Sequence, residues 1–201
     1  MRLLRPARPA AILLLALWAP GSIVLVGAMM MSHVLALPTP ATRAVEAALV
    51  RLGEPRGGWN AFHVLYADCP CSRRVAESLV ARGARDDFRE RVLLVGHDST
   101  LSAALSAKGF HVSSVTSEEL KERFGIEAAP AFFAVTPDGS VPYLGGYSDY
   151  KQGPAQDTRI LSLVRRGLQP EPLPLFGCAV SRELQAKADP LGLKYPTEAT
   201  R

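Results

Sequence analysis

Two cysteines separated by one proline, Cys69-Pro70-Cys71, stand between an apolar run and an amphipathic segment. That placement constrains the fold more than any other feature. The run Trp59–Tyr66 is rich in aromatic and β-branched residues and predicts a buried strand. After Ala67 and Asp68, the residues Val75, Ala76, Leu79 and Val80 recur at helical spacing and stop at Gly83. Both sulfurs are thus expected over the first turn of a helix, where unpaired N–H groups and the positive end of the dipole favour a thiolate. Arg73 and Arg74 add positive charge as candidate thiolate stabilisers. Such a pair suits thiol–disulfide exchange, and two thiolates this close also suit a soft ion such as Cu(I). Two inert buried cysteines are the plainest alternative.

Arg2, Arg5 and Arg8 precede an apolar stretch from Ala10 to Leu37 with Pro20 and Gly21 at its middle. About 20 such residues span a bilayer, with the arginines kept on the cytoplasmic side. The expected division is therefore a basic cytoplasmic N-terminus over 1–9 and a transmembrane signal anchor over 10–37. Val34-Leu35-Ala36 also resembles a signal-peptide cleavage site, although the apolar core exceeds the usual length of about 7–15 residues. Either reading sends the remainder out of the cytoplasm, into the periplasm or the cell exterior, where disulfides persist. The formal net charge is +4, and the first 40 residues hold three arginines and no acid. A near-neutral remainder argues against nucleic acid as a partner.

Residues 38–58 read as a linker and a leading helix over Ala41–Leu52, followed by the loop Gly53–Gly58. Beyond the cysteine helix, Arg91–Gly96 predicts a strand. Ser99 or Thr100 is placed to cap a helix carrying Leu101 and Leu105, and Phe110–Val115 predicts a short strand. Thr116 and Glu119 have capping-box spacing, opening a helix with Leu120 and Phe124 on one face and Gly125 as its stop. Ala131–Val135 and Val141–Leu144 flank Pro137-Asp138-Gly139-Ser140 and predict a hairpin. Asp157 is placed to cap a last helix carrying Ile160, Leu161, Val164 and Leu168. Helices alternating with strands indicate an α/β fold with a mixed sheet. Residues 169–201 form a C-terminal extension: a proline-rich arm, a helix expected from Cys178 to Lys187, and a tail over Asp189–Arg201.

The strand, the cysteine turn and the later run Phe124-Gly125-Ile126-Glu127-Ala128-Ala129-Pro130-Ala131-Phe132 together resemble the thioredoxin superfamily, over residues 59–168. The resemblance implies a mixed central sheet flanked by helices, a cis bond at Ala129-Pro130, and a hairpin turn at Asp138-Gly139. It also implies that Ala129 and Pro130 contact an extended partner chain. A proline suits that position, because cis X–Pro costs far less than other cis peptides. One departure matters: the family's usual motif is Cys-x-x-Cys. Counted from the strand, Cys69 takes the nucleophile's place and Ser72 that of the second cysteine. In the other frame Cys71 is the nucleophile and Cys69 an additional thiol. His63, six residues before Cys69, stands where the family carries a buried acid that moves protons; the alternative is a histidine tolerated in a central strand. His97 and His111 are expected at the surface.

The resemblance implies a membrane-tethered, extracytoplasmic thiol–disulfide oxidoreductase acting on protein thiols or disulfides without an organic cofactor or resident metal. Its candidate catalytic residues are Cys69, Cys71 and Cys178, with Cys71 or Cys178 resolving. A Cys69–Cys71 bond would close a small ring far from relaxed geometry. The competing expectations are a Cu(I)-binding metallochaperone of the same fold and a non-catalytic binding module.

Overall fold

The computed structural model describes residues 8–34, 36–51, 57–190, 192, 194 and 195. Leu35 of the expected cleavage site, most of the loop Gly53–Gly58, Arg2 and Arg5, and most of the tail beyond 190 lie outside the described residues. The chain divides into residues 1–35 and 36–201.

The first unit holds α1 (Arg8–Val34), a 27-residue helix with Pro20 inside it. Its described side chains cover residues 11–27, and large apolar ones from Ile12 to Val26 are exposed. Among the described residues no helix is long and apolar enough to cross a membrane, so the anchor expected over 10–37 rests on the sequence alone.

The second unit is built on a five-stranded sheet in the order β3-β2-β1-β5-β6. Its strands are β1 (Asn60–Tyr66), β2 (Arg89–Val95), β3 (His111–Val115), β5 (Ala131–Val135) and β6 (Tyr143–Gly145). β1 runs parallel to β2 and antiparallel to β5, and β6 returns antiparallel to β5. Alternation in β1 sends Phe62 and Val64 to one face, and Ala61 and Leu65 to the other. The first face packs on α2 (Thr42–Arg51) and α5 (Ser117–Phe124), through Val45, Leu49, Leu120 and Phe124. The second packs on α3 (Pro70–Arg82), α4 (Ser99–Ser106) and α6 (Asp157–Arg165), through Leu79, Leu105 and Leu161.

The helix boundaries show local chemistry at work. The Thr116–Glu119 capping box is reciprocal, and Gly125 closes α5 in the left-handed conformation. α4 is capped by Asp98, whose carboxylate accepts from Leu101 N–H, and not by Ser99 or Thr100. Asp157 does not cap α6: it is buried and takes Arg82 Nε–H at 2.8 Å instead. A charge-assisted bond across the fold displaces a local one.

The C-terminal extension departs most from expectation. Cys178 does not begin a helix. It lies in β7 (Cys178–Ala179), which pairs antiparallel with β4 (Ala128–Ala129), placing Cys178 opposite Ala129. The helix, α7 (Arg182–Ala188), starts only after Ser181, whose hydroxyl accepts from Leu184 N–H. Upstream, Gly146 N–H donates to Leu173 O, Leu37 N–H donates to Leu175 O, and Leu175 is buried in the first-face core. The arm is therefore laced onto the domain along its length.

Candidate active site

Cys69 is the N-cap residue of α3, in extended conformation at the end of the turn that leaves β1. Pro70 opens the helix, where its missing N–H costs nothing. Ala129-Pro130 is a cis peptide bond, and Cys69 Sγ lies 3.8 Å from the Ala129 carbonyl oxygen. Across β4 from that carbonyl runs β7, which carries the third thiol. The fold thus gathers Cys69, Cys71 and Cys178, all as free thiols, around the proline.

Their protons are unequally shared. Hydrogen bonds from Cys178 and then Cys71 draw the Cys69 pKa well below the usual thiol range, against the opposing effect of burial, with Ser72 N–H and hydroxyl adding to them. Cys71 and Cys178 are both raised, first because each gives its proton to Cys69 and second by burial. Lys194 opposes both rises and Lys151 that of Cys71. Arg73 and Arg74 are exposed, and neither is among the leading causes of these shifts.

Ser72 escaped the sequence reading as a working residue. It is buried, and its hydroxyl accepts from Tyr66 N–H at 3.0 Å while facing Cys69. Its place in the second-cysteine position was the available signal. Lys194, with Nζ 3.4 Å from Gly177 O, had none, since its approach depends on the arm.

His63 is fully buried, and both ring nitrogens are engaged away from the thiols: Nε2 with Glu90 at 2.7 Å and Nδ1 with the Tyr147 hydroxyl at 2.7 Å. Glu90 also takes Arg82 at 2.9 and 2.5 Å. Burial alone would raise Glu90, but the bonds from His63 and Arg82 hold its pKa at about 2. His63 thus belongs to a buried hydrogen-bonded cluster with Glu90, Arg82 and Tyr147. His97 and His111 are exposed, as expected. Among the described residues no group of three or more His, Cys, Asp and Glu side chains is arranged to hold a metal ion.

The cysteine turn between a central strand and α3, the parallel β1–β2–β3 set flanked by an antiparallel hairpin, and the cis proline opening β5 decide the architecture. The fold is thioredoxin-like. No protein-family model and no curated protein matches the sequence, whereas solved structures do. A hypothetical protein from Sinorhizobium meliloti 1021 superposes with a TM-score of 0.51 at 16% identity, covering 74% of this chain and 91% of its own. An uncharacterized conserved protein from Geobacillus kaustophilus gives 0.47 at 13%, covering 62% and 77%. A secreted Mycobacterium tuberculosis disulfide oxidoreductase gives 0.37 at 19%, covering 44% and 69%. At these identities the likeness is one of fold. This thioredoxin-like domain differs from a bare one in that its own C-terminal arm closes over the cis-proline edge.

Proposed function

We propose that the chain is an extracytoplasmic thiol–disulfide oxidoreductase acting on protein thiols or disulfides through Cys69, Cys71 and Cys178. The observation that carries this reading is the gathering of three free thiols around the N-terminus of α3 and the cis proline Pro130. A thiolate is the nucleophile of disulfide exchange, and neighbouring thiols are its natural resolving partners. The site needs no organic cofactor. The run of arginines before an apolar helix supports export and tethering to the inner membrane, with the domain on the outer side.

The test is a glutathione redox titration of the full chain with stepwise alkylation and mass spectrometry. A reversible disulfide between two of the three cysteines is expected. All three remaining reduced, with no mixed disulfide formed, would overturn the proposal. Cu(I) capture is the competing reading, resting on the two neighbouring thiols of the Cys-Pro-Cys turn alone. Stoichiometric anaerobic binding lost in Cys69→Ser, without any reversible disulfide, would establish it instead.

A further inference from the structure

Cys69 occupies the nucleophile's place in the turn, yet it is 0% exposed, and Cys178 is 6% exposed. The strand edge at Ala128–Ala129, where an extended partner would pair, is taken by β7. The occupation is tight. A Cβ on Gly177 would lie 1.9 Å from Ala129 O, Val180 N–H donates to Glu127 O at 2.7 Å, and the Ser181 hydroxyl donates to the Glu127 carboxylate. Cys71 alone of the three thiols is only partly buried. It forms part of the wall of a pocket of about 360 Å³ shared with Val75, Pro130, Tyr147, Ala155 and Phe176, with Arg74 among its polar residues.

We infer that Cys71, not Cys69, is the thiol that meets the partner, and that the pocket beside it takes an apolar side chain next to the reacting cysteine of an extended polypeptide disulfide. This rests on the oxidoreductase reading and deepens it. Exchange requires the attacking sulfur to reach the disulfide directly, which burial denies to Cys69 and Cys178. Strand addition being closed, the partner's recognition falls to the pocket, whose walls are largely apolar and whose volume accommodates one large side chain.

The exchange balances as a relay, written here in the direction that reduces the partner. Cys71 passes its proton to the neighbouring Cys69 thiolate. The resulting Cys71 thiolate attacks the partner disulfide, forming a Cys71–partner bond and breaking the partner S–S bond. The released partner thiolate takes the proton now on Cys69. Cys69 thiolate then attacks the Cys71 sulfur, forming Cys69–Cys71 and releasing the partner's other sulfur, which takes the proton of Cys178. Cys178 thiolate attacks Cys69, closing Cys69–Cys178 and returning Cys71 as a thiolate. The partner gains two electrons and two protons, and Cys69 and Cys178 supply the electrons. The last step relieves the small ring closed across Pro70. Run backwards, the same sequence oxidises a partner dithiol.

The test mixes the full chain with the symmetrical disulfide of acetyl-Ala-Phe-Cys-Ala-amide, quenches in acid, and locates the mixed disulfide by peptide mass spectrometry. The first adduct is expected on Cys71. It should accumulate unresolved in Cys69→Ser, and its formation should fall at least about tenfold in Cys71→Ser. Cys178→Ser should release peptide but stop at Cys69–Cys71. The corresponding Asp peptide should react several-fold more slowly with the wild-type chain. Ser78→Phe, two helical turns along α3 from Cys71 and lining the same pocket, should narrow that difference. A first adduct on Cys69, or an undiminished rate in Cys71→Ser, overturns the assignment while leaving the oxidoreductase reading intact. Equal rates for the two peptides overturn the pocket's role. No adduct on any thiol removes the oxidoreductase reading itself.

Discussion

Gly177→Ala tests whether the arm is what buries Cys69. The added Cβ would sit 1.9 Å from Ala129 O and 2.6 Å from both Ala129 C and Pro130 Cδ. All three atoms belong to a buried turn with no flexible end to give way. Restoring ordinary contact requires β7 to move off β4 by more than about 1 Å, which breaks its ladder bonds at about 1 kcal/mol each. Leu175, two residues upstream and 1% exposed, loses part of a burial worth about 1.5–3 kcal/mol. The alanine returns only about 0.4–1 kcal/mol through the unfolded chain. The expected net loss is about 3 kcal/mol, on the order of 10 °C in Tm for a chain of this size. Thermal unfolding by circular dichroism reads the first number. Iodoacetamide labelling with peptide mapping reads the second consequence, since Cys69 should become labelled in the variant while staying protected in the wild type. Gly58→Ala, where a Cβ meets nothing within 4 Å, serves as the neutral control. An unchanged Tm together with continued protection of Cys69 would refute the reasoning.

Three further outcomes follow from the same geometry. Because the folded pKa of Glu90 is lowered to about 2, below its unfolded value of about 4.3, its contribution of about 3 kcal/mol is complete above pH ~5 and is lost as pH falls toward 2. Glu90→Gln should remove that acid slope in urea titrations and cost about 3–5 kcal/mol at neutral pH by leaving Arg82 and His63 poorly paired; an unaltered slope would assign acid lability elsewhere. Removing the Cys178 donor in Cys178→Ala should raise the midpoint of thiolate absorbance at 240 nm toward the ordinary thiol value, and a midpoint that stays put would show that Cys71 and Ser72 suffice. Thr116→Ala breaks the capping box of α5 and should cost about 1 kcal/mol by chemical denaturation while leaving thiol titration untouched. A shift in that titration would mean that α5 is coupled to the site.

Much of the domain was legible from local chemistry. The central strand, the cysteine turn, the capping box at Thr116 and the left-handed stop at Gly125 each announce themselves through neighbours within a few residues. The proline at 130 and the turn at Asp138-Gly139 are equally local in origin. The misread features share a different character. Asp157 is placed to cap a helix, yet its carboxylate goes to Arg82, which the sequence sets on a distant element. The two-residue β7 is too short to show periodicity, so Cys178 reads as a helix start until β4 is beside it. The partners of His63, Glu90 and Tyr147, likewise come into view only once the fold brings them together.

The sequence by itself determined that two thiols would stand at the positive end of a helix beside a proline loop, because strand, turn and helix signals are written in adjacent residues. Only the tertiary structure decided which sulfurs are buried and which faces outward. Cys178 lies more than a hundred residues from Cys69, and no periodic pattern encodes its return. The pairing of β7 with β4 places that third thiol opposite Ala129, whose carbonyl oxygen lies beside Cys69, and leaves Cys71 at the pocket. Burial and proton sharing are properties of the packed arrangement, and a linear motif carries neither.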